Sequence, residues 1–245
     1  MIVTILTVAY NSESTIARTI ESVLSQSYNK IEYIIVDGAS CDSTVKIAQS
    51  YMKSFYERDG WSMKIISEPD TGMYDALNKG IKAARGEIIG SINSDDWYEP
   101  DAVKKMATLY LKEHYDIAWG NMNVIKQTGN FVKRARIGKW IWSTSGFCHP
   151  CMFASKAILT EFPYACESLY DDFDLITRVH RARRKIVTID EVISNYVFGG
   201  MSTMKSWKAT RERISRRNHI YQSNGYGFVH RINGWIIEIL KYLLG

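Results

Sequence analysis

Two aspartates, Asp95 and Asp96, follow directly on the apolar run Ile88-Ile89-Gly90-Ser91-Ile92. Carboxylates at the carboxyl end of a buried strand are costly unless something positive meets them, and open carboxylate oxygens are what Mg²⁺ or Mn²⁺ prefers. The pair reads as a site for a divalent metal with a diphosphate. A second acidic pair, Asp171 and Asp172, precedes Leu175, Ile176 and Val179 at helical spacing; acids in a first helical turn also suit the helix dipole, so a structural reading stands beside a chemical one. Cys148-His149-Pro150-Cys151 has the spacing of a zinc or redox site. No second ligand pair follows at the usual separation, which favours buried, unreactive thiols.

These residues need a scaffold. With 245 residues, 46% of them hydrophobic, the chain can bury one substantial core. Four cysteines, unevenly spaced, do not make a disulfide framework, so a reducing cytoplasm is expected. The run Ile2 to Ala9 lacks a basic n-region and a cleavage site and reads as a first strand, not a signal peptide. The net charge of +5 is mild, but it is clustered: Lys126, Lys133, Arg134, Arg136 and Lys139; Arg178, Arg181, Arg183, Arg184 and Lys185; Lys205, Lys208, Arg211, Arg213, Arg216 and Arg217. Such patches attract polyanions, or simply form solvated helix faces.

Continuous β-branched runs alternate with helical spacing. The first strand stops at Tyr10-Asn11, and Ile16, Ile20, Val23 and Leu24 then predict a helix over about Glu13 to Gln26. Tyr33 to Val36 is a second strand ending at Asp37, after which Asp42 or Ser43 can cap a helix carrying Val45, Ile47, Ala48 and Tyr51. Lys64 to Ile66, a helix from Tyr74 to Ala84, and Glu87 to Ile92 continue the pattern. Alternation of this kind implies a parallel sheet with a ligand crevice outside the carboxyl ends of its strands. Tyr10-Asn11, Asp37, Glu68-Pro69-Asp70 and Asn93 to Asp96 should then share one edge. Further on, a helix from about Pro100 carries Val103, Met106 and Leu109. A turn near Gly129-Asn130 separates Ile117 to Val124 from Phe131 to Trp142, and Ile186 to Ile189 and Val192 to Phe198 read as strands.

In this order the motifs resemble the inverting glycosyltransferases of family 2, with the nucleotide-diphospho-sugar transferase fold called GT-A. The resemblance covers roughly residues 2 to 200 and rests on Thr7-Val8-Ala9-Tyr10-Asn11, Val36-Asp37-Gly38 through Ser43-Thr44, Ser67-Glu68-Pro69-Asp70 through Lys79-Gly80, Ala84-Arg85-Gly86 and Asn93-Ser94-Asp95-Asp96. It implies an α/β fold with a mostly parallel central sheet flanked by helices. A catalytic domain would span 1–200, with a nucleotide-binding half at 1–97 and an acceptor half at 98–200. Residues 201–245 would form a basic, amphipathic helical extension.

The resemblance also implies roles. Thr7, Ala9, Tyr10, Asn11, Asp37, Asp70, Arg85, Asn93 and Asp96 match positions that bind the nucleotide, with Asp37 meeting the base. Asn93-Ser94-Asp95 stands where the family has Asp-x-Asp, so Asp95 is the metal candidate, with Asp96 sharing the ion or binding ribose. Arg85, or Lys79, would meet phosphates or the carboxylates. Asp171-Asp172 resembles the family's Glu-Asp motif and matches the catalytic base to Asp172. Displacement with inversion needs such a group to take the acceptor hydroxyl's proton, while a metal stabilises the leaving diphosphate. Asp171 and His149-Pro150 fall at acceptor positions, as does Gly199-Gly200-Met201-Ser202.

The expected activity is therefore metal-dependent (Mn²⁺ or Mg²⁺) glycosyl transfer from a nucleotide-diphospho-sugar to a glycan or polyprenyl-linked acceptor in cell-surface polysaccharide synthesis. A nucleotidyltransferase would carry a Gly-rich basic loop after the first strand, and a dinucleotide-dependent oxidoreductase a Gly-x-Gly-x-x-Gly; neither is present. A silent polyanion-binding module would have no use for acids at several strand ends. The tail predicts a basic helix from Trp207 to Ile220 and a final helix with Phe228, Ile232, Trp235, Ile236, Ile239, Leu240 and Leu243 on one side. It suits an anionic membrane surface at the inner face of the cytoplasmic membrane, docking on the catalytic domain, or a homo-oligomer contact. Nucleic acid is not an expected partner.

Overall fold

The computed structural model describes residues 1–138, 146–199 and 206–244. Lys139, the end of the Phe131 to Trp142 segment, Gly200-Met201-Ser202 and Lys205 lie outside the described residues. Strands β1 (Val3–Ala9), β2 (Ile31–Asp37), β3 (Ser62–Ser67) and β4 (Ile88–Ser91) run parallel in the order β3-β2-β1-β4. Their register sets Ala9 beside Asp37 and Asp37 beside Ser67, so the carboxyl ends of the first three strands are level. The continuous apolar runs reflect cover on both faces; all seven residues of β2 are buried.

Helices α1 (Ile16–Leu24), α2 (Thr44–Ser50), α3 (Met52–Tyr56) and α4 (Met73–Ala83) supply that cover. Helix α1 begins later than its spacing predicts. The Ser12 carbonyl takes the Thr15 and Ile16 N–H groups, while the Ser12 hydroxyl turns to Ser94 (2.8 Å) instead of capping. Asp42 starts α2 by accepting from the Thr44 N–H (2.9 Å) and hydroxyl.

The rest of the chain adds β5 (Trp97–Tyr98), α5 (Ala102–Glu113), β6 (Ile117–Ile125), β7 (Phe131–Lys133), a 3₁₀ turn at His149–Cys151, β8 (Met152–Ser155), α6 (Lys156–Glu161), α7 (Asp171–Arg181) and β9 (Ile186–Val197). The sheet continues from β4 as β8-β6-β9-β5, with β7 hairpinned onto β6. The long ladders are parallel, and each antiparallel pairing runs only two or three residues. The two strands expected between Ile186 and Phe198 are one strand, carried past a register irregularity at Asn121. A methyl group on Gly120 would lie 2.3 Å from Ile193 Cγ1 and 2.7 Å from the Glu191 carbonyl oxygen, so only glycine lets β6 pass β9 there.

Helices α8 (Trp207–Ser223) and α9 (Phe228–Leu244) close the chain. Phe173 of α7 meets Tyr221 of α8 edge-on at 5.1 Å. Helix α9 is tied to α8 through Glu238, 1% exposed, which pairs with Arg213 (2.8 Å), Arg217 (3.1 Å) and Lys241 (2.9 Å). No described helix is long and apolar enough to cross a membrane.

Candidate active site

The strand ends do share an edge, and hydrogen bonds knit it. The Gly38 N–H donates to the Ala9 carbonyl and the Glu68 N–H to the Asp37 carbonyl. Asn11, at φ 48°, accepts from the Cys41 N–H through Oδ1 (3.0 Å) and donates its own N–H to Ser40 Oγ (2.8 Å). Asp70, past the end of β3, takes the Gly72 N–H on Oδ1. Its Oδ2 would lie 2.6 Å from a methyl group on Gly38, so the β2 turn and the Asp70 carboxylate touch through a glycine. Tyr10 stands out from this edge, 64% exposed.

The loop after β4 joins the same edge through the Ser12–Ser94 contact. Asp96 is fully buried, its carboxylate accepting from the Val197 N–H (3.0 Å) and the Asn93 amide (3.2 Å). Burial, and then the charge of Asp95, push its carboxyl up to about 7 against those two donors. Asp95 is half-buried. Among the described residues, no three His, Cys, Asp or Glu side chains converge as a metal cage. Two adjacent carboxyl groups nonetheless fit a divalent cation, which Mg²⁺-type sites bind with one or two carboxylates plus substrate phosphates.

The second acidic site lies at the start of α7. Asp172 Oδ1 accepts from the Phe173 N–H (2.7 Å), and no described hydrogen bond reaches its Oδ2. Its charge acts on Tyr74, His149 and Tyr164, which form an aromatic group: Tyr74 stacks on Tyr164 at 5.0 Å and His149 Nε2 meets the Tyr164 hydroxyl at 3.0 Å. Burial drives the His149 imidazole below its usual value and Asp172 only partly offsets it, so the ring is neutral. Asn78 of α4 grips the backbone of Tyr164 in both directions (2.9 and 3.1 Å), which ties this group to α4.

Five residues expected at the site have partners within the chain. Arg85 is at the opposite edge of the sheet. Because Ala84-Arg85-Gly86 leads into the start of β4, Arg85 meets Glu32 near the start of β2, its Nε and N–H each donating at 2.6 Å. Thr7 is fully buried and accepts from the Tyr33 hydroxyl (3.0 Å), so it supports the edge from within. Asp37 is also fully buried; Ser40 donates to it through its N–H (3.0 Å) and hydroxyl, and Ser67 through its hydroxyl (2.7 Å). Asp171 holds the preceding loop, accepting from the Glu167 N–H (3.0 Å) and from the Ser168 N–H (2.9 Å) and hydroxyl (3.1 Å). Lys79 pairs with Glu68 (3.1 Å) and Asp75 (3.5 Å).

Other contributors carry no motif. Arg18 of α1 donates to the Asp95 carbonyl (2.6 Å) and lies over the Trp97 ring at 4.1 Å, and the buried Thr19 hydroxyl donates to the Asp96 carbonyl (2.7 Å). Both stand on an ordinary amphipathic helix, which gave no sequence signal. Cys148 and Cys151 are buried, with Cys151 Sγ 2.9 Å from the Ser194 hydroxyl; Cys41 and Cys166 are exposed.

Residues 4–169 match the family described as Glycosyl transferase family 2. This is well over half of the chain, and the protein belongs to that family. Its relatives include Glycosyltransferase GlyG of Streptococcus pneumoniae serotype 4, 25% identical over 76% of this chain and 67% of GlyG. Succinoglycan biosynthesis protein ExoO of Rhizobium meliloti is 33% identical over 54% of this chain and 36% of its own length. Chondroitin synthase of Escherichia coli is 35% identical over 39% of this chain, but the match spans 13% of that protein. Several relatives are thus much longer than the segment they share. Among solved structures, S. aureus TarS 1-349 in complex with UDP-GlcNAc superposes with a TM-score of 0.74 at 16% identity, covering 99% of this chain and 73% of TarS 1-349. Mannosyltransferase PcManGT from Pyrobaculum calidifontis, in complex with GDP-Man and Mn²⁺, gives 0.67 at 15% identity, covering 99% of this chain and 70% of PcManGT. These likenesses establish the fold that the motifs implied.

Proposed function

We propose that the protein transfers a sugar, with inversion, from a nucleotide-diphosphate donor to a hydroxyl of a glycan or lipid-linked glycan during cell-surface polysaccharide synthesis. The observation that carries this reading is the presence of two acidic sites with different surroundings: Asp95–Asp96 on the edge formed by the parallel strand ends, and Asp172 with an open carboxylate oxygen beside Tyr74, His149 and Tyr164. The names of ExoO and chondroitin synthase and the nucleotide-sugars bound by TarS and PcManGT support it.

In this reading Asp37 organises the Gly38–Ser40 turn that receives the base, and Tyr10, Asn11 and Asp70 line the nucleotide's path, with Ala9 and Asn93 setting the backbone around them. Asp95, with Asp96, would hold Mg²⁺ or Mn²⁺, which would supply Lewis-acid stabilisation of the leaving diphosphate. Asp172 takes the proton of the acceptor hydroxyl as its oxygen bonds to the anomeric carbon; the bond from that carbon to the diphosphate oxygen breaks, and the nucleoside diphosphate leaves. Neutral His149 can hydrogen-bond the acceptor without competing for its proton. A polyprenyl-linked acceptor would keep the enzyme peripheral to the inner face of the cytoplasmic membrane.

Calorimetry with UDP, GDP and dTDP, each with Mn²⁺ and with EDTA, tests the donor half. One nucleotide should bind in a metal-dependent way, and Asp95→Ala should weaken that binding. Failure of all three nucleotides to bind would overturn the reading.

A further inference from the structure

The outer face of α9 is apolar and uncovered. Phe228, Ile232, Trp235, Ile236, Leu240 and Leu243 are 42–69% exposed. At 100° per residue they fall within about 140° of the helix circumference. The other side of the helix is occupied, with Gly234 against Tyr221 and Glu238 against the α8 arginines. Seventeen residues make a rod of roughly 26 Å.

At the N-terminal end of this rod lies a cavity of about 420 Å³ lined by His180, Arg181, Arg183, Arg184 and Tyr226. Tyr226 stands two residues before α9 and fixes one wall: its hydroxyl meets His180 Nδ1 at 2.5 Å and its ring packs on His230 at 4.9 Å. Arg184 is paired with Glu161, whereas Arg181 and Arg183 have no carboxylate partner among the described residues. Arg183 is held at φ 54° beyond the end of α7. The charge of the surrounding chain is lopsided. Residues 205–245 hold eight basic and two acidic side chains, a net +6 that exceeds the +5 of the whole chain.

We propose that this face docks on an anionic phospholipid bilayer, with α9 lying in the interfacial plane and the cavity receiving a phosphate headgroup. An apolar arc with Trp and Tyr beside a dense cationic flank is what an anionic lipid interface attracts, and no described helix offers a membrane span instead. A soluble polyanion would use the cations and leave the apolar arc in water. Packing two copies face to face would bring two +6 tails together. The surface deepens the lipid-linked-acceptor reading, but its test requires neither donor nor turnover.

The test is co-sedimentation of the full chain with vesicles of phosphatidylglycerol and phosphatidylcholine, and with phosphatidylcholine alone. Binding should favour the anionic vesicles and weaken as salt is raised. Arg181→Ala with Arg183→Ala should weaken it about thirty-fold. Lys208→Ala with Arg211→Ala, which removes two exposed cations of α8 outside the cavity, should cost clearly less. Ile232→Ser with Ile236→Ser should abolish vesicle binding, while calorimetric nucleotide binding reports that each variant is folded. Equal losses from the two cation pairs would overturn the cavity as the headgroup site. Absence of vesicle binding, with a dimer in sedimentation that Ile236→Ser dissociates, would assign the face to a second copy and overturn the proposal. If the wild-type chain bound vesicles but no nucleotide, the transferase reading would fall and this surface would stand.

Discussion

Asp171 and Asp172 are adjacent and chemically identical, yet their surroundings divide their tasks. Three donors from the 167–168 loop saturate Asp171, while Asp172 keeps an oxygen open beside a neutral imidazole. Asp171→Asn should therefore cost about 1–3 kcal/mol of stability, since it weakens charge-assisted bonds to backbone N–H groups. Asp172→Asn should leave the unfolding temperature nearly unchanged and lower turnover by about 10²–10⁴ with nucleotide affinity intact. Thermal unfolding and steady-state rates on both variants separate the two roles, and normal turnover in Asp172→Asn would remove it as the base. Residue types were legible in the sequence because acids at strand ends are costly and rare. Their partners were not. Ser67 on Asp37 and Glu32 on Arg85 are contacts across 30 and 53 residues, invisible to any local pattern.

The strand-start edge is held by one such distant contact. Burial pushes the Glu32 carboxyl up, but the Arg85 N–H, the Thr4 hydroxyl and the Arg85 guanidinium together hold it below its usual value. A carboxyl depressed in the folded state adds stability that is present above its unfolded value, near 4.5, and is lost as pH falls through the folded value. Arg85→Ala should thus cost about 2 kcal/mol at neutral pH, and chemical unfolding at a series of pH values should show the deficit shrinking below about pH 4. A deficit constant with pH would mean that Arg85 acts by packing alone. Glu238 does a comparable job between α8 and α9. Glu238→Gln removes the buried carboxylate that Arg213, Arg217 and Lys241 share. Hydrogen exchange should then rise in α8 and α9 and stay unchanged in β1 to β4; a uniform rise would show that the tail and the sheet unfold together. Long periodic elements such as β1, β2, α4 and the two tail helices were legible. Met152–Ser155 was not, because four buried residues carry no period, although this strand bonds β4 to β6 and so joins the two parts of the sheet.

At the scale of the molecule, charge is divided between the body and the tail. The whole chain carries +5 and residues 205–245 carry +6, so residues 1–204 carry −1. The cationic excess is thus confined to the tail, and the acidic edge after β4 lies on a nearly neutral body, where Asp95 and the buried Asp96 oppose one another. A donor diphosphate brought to that edge alone adds negative charge to negative charge. Brought with a divalent cation, it relieves the repulsion, so nucleotide and metal should stabilise the fold together far more than either does alone. At a nucleotide concentration 100 times its Kd the gain is about 2.7 kcal/mol, which for a chain of this length raises the unfolding temperature by roughly 5–10 °C. Thermal unfolding with nucleotide and Mn²⁺, with nucleotide and EDTA, and with Mn²⁺ alone should show that rise only in the first condition. Asp95→Ala should abolish it without lowering the unfolding temperature of the free protein, since its carboxylate supports no described hydrogen bond. An equal rise with EDTA would mean that the nucleotide binds this edge without a metal.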